Sequence, residues 1–177
     1  MFFGVMLIVS LLPTAIRLAV VWTLLWLAAF DVRYRRLPTE AILKVGALFF
    51  VNALVIRMPI NDVLAHLLLA LAVLLVGAVL FLAKMLGGGD IKLAAVVFLW
   101  VGQSLLLPTL TIVSVIGMGI ALVSLATRHM DSQQHACSMR ALAMFSGARG
   151  VPYGVALALG GGSVIALPVV LPLFLTR

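Results

Sequence analysis

Five acidic side chains occur in the 177 residues: Asp31, Glu40, Asp62, Asp90 and Asp131. Two of them stand where a carboxylate is expensive. Asp31 directly follows VVWTLLWLAAF, and Asp90 lies in KMLGGGDIK, directly ahead of the apolar run beginning IKLAAVVFLW. Both therefore fall at or just below one membrane surface, where an ionisable group is by default functional. Two aspartates on different helices at the same depth suggest a dyad. Close carboxylates cannot both ionise cheaply, so one proton is shared, leaving one group as base and the other as acid. The base can take a proton from water while the acid protonates a carbonyl, and the proton belongs to the pair. Other readings of the same residues exist. Asp31 can pair with Arg35 one turn on, Asp90 can cap the helix it precedes, and two membrane carboxylates can bind a proton or cation in a small transporter.

The remaining polar residues fit structural roles better. Glu40 follows LPT at a helix start, where Thr39 can cap and Glu40 suits the first turn; Asp62 after Asn61 reads as an N-cap. Asp131 sits in RHMDSQQHACSMR, the only long polar segment, and reads as solvated. Gly87, Gly88 and Gly89 tolerate positive φ and close backbone approach, which suits a sharp turn beside an extended peptide. A phosphate-binding loop is the competing reading and fits poorly, because no strand precedes the glycines and the Lys-Ser/Thr of such a loop is missing. Lys92 lies about 200° around the helix from Asp90, so it reads as a residue that snorkels to headgroups or positions substrate backbone. His66, His129 and His135 lack ligand spacing, and the lone Cys137 can form neither an internal disulfide nor a multi-cysteine zinc site. No metal site and no cofactor are expected.

Helices must position these groups, because 65% of the residues are hydrophobic and only 10% charged, against roughly 25% charged in soluble domains. The expected fold is all-α: a polytopic integral membrane protein of about six transmembrane helices forming one membrane-embedded domain over 1–177. Spans are expected near 12–32, 40–57, 62–83, 92–107, 109–127 and 151–175, the fourth and fifth parted only by Leu107 and Pro108. Arg17 interrupts the first apolar stretch and is expected to snorkel, the N-terminal part lying on the interface or extending a tilted helix. No basic region precedes that stretch, so a cleaved signal peptide is not expected. The net charge of +7 is scattered between apolar runs, which argues against nucleic acid. Arg33, Arg35, Arg36, Lys84, Lys92, Arg128, Arg140 and Arg149 fall in alternate connections, which places those connections, including a polar loop over 128–150, in the cytoplasm, with both termini outside. In the last span Gly150, Gly154, Ala158 and Gly162 form a small-residue stripe suited to close helix packing.

Three motifs give these residues a family resemblance. GGGD followed by IK resembles the G-x-G-D-x-K motif of type IV prepilin peptidases, aspartic intramembrane proteases that share G-x-G-D with preflagellin peptidases and presenilins. DVRYRRLP, from Asp31 to Pro38, resembles the family's other motif, an Asp at a helix end followed by an aliphatic residue and Pro. VPYGVALALGGG resembles its P-Y-G-x-A stretch. The resemblance implies catalytic roles for Asp31 and Asp90, with Pro38, Gly87, Gly88, Gly89, Lys92, Pro152, Tyr153 and Gly154 supporting the site. It also implies a bacterial cytoplasmic (inner) membrane location with the site facing the cytoplasm. The substrates would be prepilins or pseudopilins, each with a short leader and an apolar N-terminal helix.

Larger members carry a cytoplasmic insert with a zinc-binding cysteine tetrad associated with N-methylation. This chain resembles instead the short form found with Flp-type pili of tight-adherence systems, so N-methyltransferase activity is not expected. Thr39 stands where many members have Asn, and either residue is a good cap. The transporter alternative fits less well, because transporters tend to show internal repeats and midplane sites. Here no repeat is evident and both aspartates lie near one face.

Overall fold

The computed structural model describes residues 2–126 and 153–175, and side chains over 11–125 and 153–169. Six helices run through the described residues: α1 (Phe2–Tyr34), α2 (Thr39–Val55), α3 (Ile60–Leu82), α4 (Gly88–Val101), α5 (Leu106–Ala126) and α6 (Tyr153–Leu175). The expected loop over 128–150, with Cys137 and two of the three histidines, lies outside them, as does Pro152.

The apolar pattern explains which helices meet lipid. α3 and α5 are apolar on all sides and expose Leu68, Leu75 and Leu82, and Val115, Met118 and Leu125, respectively. Side chains of that kind carry no cost against lipid, and exposed apolar surface on this scale marks a membrane contact. Among the described residues, three stretches are long and apolar enough to cross a bilayer: Leu11–Tyr34, Ile60–Leu82 and Leu106–Leu125. The shorter α4 is the inner helix. It packs on α2, α3 and α6, while α6 also packs on α1 and α5. Their shared core joins Leu24 and Leu27 of α1, Val45 of α2, Leu93 and Val97 of α4, and Leu157 of α6.

Of the two alternatives for the N-terminal part, the structure shows a continuous helix from Phe2 through Pro13 and Arg17 to Tyr34, about 50 Å long and so longer than the roughly 30 Å hydrocarbon core. Several other local expectations are corrected. The break between the fourth and fifth spans falls at Gly102, not at Leu107 and Pro108. Gly102 has φ 71°, which ends α4, whereas Pro108 sits in the first turn of α5, where a missing N–H costs nothing. Thr39 and Asp62 do not cap: the N-caps are Pro38 and Pro59, without side-chain cap bonds. Thr39 and Asp62 are instead the first and third residues of their helices.

The turn before Asp90 is also made differently. Gly87 is extended (φ −77°, ψ 144°), and among the described glycines only Gly102 has positive φ. The left-handed residue is Lys84, with φ 58°. Its N–H bonds to Phe81 O at 2.9 Å and that of Met85 to Leu80 O at 2.9 Å, which is the hydrogen-bond pattern that commonly places glycine at this position. Arg57, with φ 52°, closes α2 the same way, the Met58 N–H reaching Ala53 O at 2.8 Å. Placing a cation at a helix C-terminus lets the dipole offset part of the left-handed strain.

Candidate active site

Asp31 occupies the last turn of α1 and is 6% exposed. Its Oδ2 is buried with no hydrogen-bond partner. The amide of Gly154, in the first turn of α6, is oriented towards the carboxylate without closing a bond to that oxygen. Arg35, just past the helix end, supplies positive charge to the same group. The pairing with Arg35 anticipated from the sequence therefore coexists with an orphaned oxygen. A buried acceptor without a partner is uncommon in a finished core, and such atoms concentrate where a site awaits a proton, water or ligand.

Asp90 is the third residue of α4, and its carboxylate accepts from the Gly87 N–H at the helix start. That is half of a capping box. It also explains the bare Gly87, because a Cβ there would stand 2.9 Å from Asp90 Oδ2. Asp90 thus caps its helix and still faces inwards. It lies within electrostatic range of Asp31 and of Tyr153, so the fold sets the two suspected aspartates, from α1 and α4, in one another's field.

Beside Asp90 a cavity of about 360 Å³ runs between α3 and α5, with α4 and α6 as its floor. Its apolar wall includes Val73, Val76, Phe98, Leu110 and Leu157, and the polar side chains lining it are Asp90, Ser114 and Tyr153. Asp31 is not among the residues that line it. The arrangement offers an apolar slot with a carboxylate at one end, suited to a helix or chain that is greasy along its length and polar where it reaches the membrane surface.

A sequence profile of the type IV leader peptidase family matches residues 18–122, well over half of the chain. The chain belongs to the type IV leader peptidase family. Neither a curated protein nor a solved structure matches it. It is therefore a membrane peptidase by family, with Asp31, Pro38, the three glycines, Asp90 and Lys92 inside the matched residues and Tyr153 and Gly154 beyond them.

The supporting residues of this peptidase divide by what they touch. Pro38 is the N-cap of α2 and closes the connection that begins at Arg35. Gly89 and Gly154 both lie against Leu37: a Cβ on either would stand 3.2 Å from a Leu37 side-chain carbon. Leu37 was not singled out from the sequence, although its signal was present as the aliphatic position before Pro38. It wedges the connection after α1 between the starts of α4 and α6. Gly88 is in ordinary contact range of Phe81. Lys92 is exposed and donates to Thr39 Oγ at 3.4 Å, tying α4 to α2 rather than reaching into the cavity. Tyr153 lines the cavity and rests on Gly117. The small-residue stripe of α6 is also adjusted, because Gly162 makes only ordinary contact with Leu24. Gly160 against Val113 and Gly161 against Val97 are the tightest approaches there.

Proposed function

We propose that this family member is an aspartic endopeptidase that removes the short leader of prepilin-like proteins at the cytoplasmic face of the bacterial inner membrane. Asp31 and Asp90 would be its acid/base dyad. The observation that carries the reading is the pairing of a buried, partner-less Asp31 oxygen with Asp90 at the head of an apolar cavity. Two carboxylates that repel one another favour the state with one proton on the pair. The anionic member takes a proton from water, the water attacks the scissile carbonyl, and the other member protonates the carbonyl oxygen; collapse returns a proton to the departing amine. The substrate's apolar helix would lie along the slot between α3 and α5, leaving the peptide at its polar end beside Asp90.

A prepilin or pseudopilin of the Flp type fits this slot, and the whole of 1–177 would act as one membrane-embedded domain. With a single cysteine, a zinc tetrad cannot be assembled from this chain, so N-methylation is not part of the proposed activity. Asp31→Asn and Asp90→Asn should each reduce leader removal below detection in cells co-expressing a small pilin encoded nearby, scored by mass, with protein levels almost unchanged. Glu40→Gln, at an exposed helix start, should retain most activity. Wild-type processing by both Asp variants would rule the dyad out.

A further inference from the structure

At the end of the bundle away from the aspartates lies a second cavity, of about 220 Å³, with a different chemistry. Arg17 lines it from α1, Asn52 from α2, His66 from α3 and Ser104 from the connection after α4, over a floor of Phe49 and Trp100. Three observations set it apart. Arg17 is a half-buried cation within a membrane-spanning helix, and no carboxylate partner is found for it among the described residues. Asn52 is 4% exposed, and its Oδ1 has no hydrogen-bond partner. His66 is held by Nδ1 donating to the Leu99 carbonyl at 2.7 Å, and its ring stacks on Phe49 at 5.3 Å between centroids. That bond fixes the tautomer and leaves Nε2 an acceptor in the neutral ring.

The cavity therefore presents one fixed positive charge, an unsatisfied acceptor at Asn52, a ring nitrogen at His66 that can accept, and a hydroxyl at Ser104 that can serve either way. Such a set asks for a ligand that is anionic at one atom and a donor at another. Its depth limits the source. Arg17 is fourteen residues before Asp31, about 21 Å along α1, and Asn52 lies near the end of α2 beside Arg57. Given a hydrocarbon core of about 30 Å, the Arg17 backbone stands about 9 Å inside the far boundary, so that its long side chain can snorkel to the far headgroups. The volume accommodates a phosphate with a few attached atoms, while the exposed rim residues Ile56 and Pro168 would let acyl chains continue outside along apolar surface.

We propose that this cavity binds a phosphate ester bearing a hydrogen-bond donor, supplied by the headgroup of a phospholipid in the leaflet away from the aspartates. The phosphate oxygens pair with Arg17, and a headgroup hydroxyl or ammonium donates to Asn52 Oδ1. This site is separate from the dyad and does not rest on the proposed peptidase mechanism.

The test is ligand binding to the purified full-length protein in detergent, read from intrinsic fluorescence, since Trp100 lines the cavity. Dihexanoyl phosphatidylglycerol should give a saturable change. Dihexanoyl phosphatidylcholine, which has the phosphate but no donor, should bind about fivefold more weakly, and neutral dihexanoylglycerol should give no saturable change. Arg17→Gln should weaken phosphatidylglycerol about tenfold or more and Arg17→Lys by much less. Asn52→Leu should narrow the gap between phosphatidylglycerol and phosphatidylcholine. Glycerol phosphate binding as tightly as the lipid would support the phosphate-ester site and assign it to a free ligand. Equal binding of dihexanoylglycerol, no saturable response to any probe, or phosphatidylglycerol affinity unchanged in Arg17→Gln would overturn the proposal. The comparison among ligands on the wild-type protein decides the matter even if a variant fails to fold.

Discussion

A Cβ added to residue 154 would stand 2.7 Å from Asp31 Oδ2 and 3.2 Å from Leu37 Cδ1. Gly154 is thus what allows α6 to close over a carboxylate on α1. The contact is tighter than van der Waals packing allows, and the oxygen it meets is buried, so either the carboxylate rotates or the helix withdraws.

Gly154→Ala should accordingly lower leader removal by about tenfold or more, since displacing a reacting group by an ångström is costly. The matched control is Gly162→Ala, where the nearest heavy atom to a new Cβ is Leu24 Cδ1 at 3.9 Å; cleavage there should stay within about twofold. Time courses of substrate mass for the two variants make the comparison. Equal rates would mean that the approach of α6 to Asp31 has no bearing on the reaction.

Gly102 combines left-handed backbone, φ 71°, with close approach to the His66 ring, where a Cβ would fall 2.5 Å from Cε1. Gly102→Ala should lower thermal stability by about 1 kcal/mol or more, from backbone strain and from the displaced ring. The Asp31 and Asp90 environment at the other end should be untouched, so activity per folded molecule should hold. A melting curve and an activity assay on the same preparation separate the two effects.

Topology can be checked at exposed residues on opposite ends of the bundle. In a Cys137→Ser background, Arg36→Cys should react with a membrane-impermeant maleimide only in inverted vesicles, and Asp62→Cys only in intact cells. The opposite pattern would place the aspartates at the outer face.

Purified enzyme should cleave a prepilin substrate with a strong chelator present and without S-adenosylmethionine, leaving an unmethylated N-terminus. A carboxylate pair supplies both base and acid, so water activation needs no Lewis acid. Activity lost to chelator and restored by zinc would contradict the dyad mechanism.

What the sequence by itself determined follows from quantities that are additive along the chain. Apolar runs of bilayer length between charged connections give the helices seen among the described residues, because desolvating a charge in lipid is costly wherever the chain folds. Two carboxylates set against those runs mark Asp31 and Asp90 as the groups to watch, and the motifs around them indicate the family. Local chemistry that depends on a few hydrogen bonds was less legible. Thr39 and Asp62 have the right residue types for caps, yet Pro38 and Pro59 hold those positions, since entry geometry is set by how each helix docks on α4. Likewise, glycines before Asp90 suggested a left-handed turn, whereas Lys84 takes the positive φ and Gly87 serves only to admit the Asp90 side chain.

Only the tertiary structure decided which residues share a space. Residues 31 and 37, 90, and 154 belong to three separate stretches of sequence, and nothing periodic in any of them specifies the wedge of Leu37 or the approach of Gly154 to Asp31. The same holds at the far end, where Arg17 reads as a snorkelling residue until Asn52 and His66, from two other helices, are seen to line the same cavity. Close packing is a property of pairs of surfaces, and its energy depends on ångström-scale fit between helices that the one-dimensional pattern does not encode.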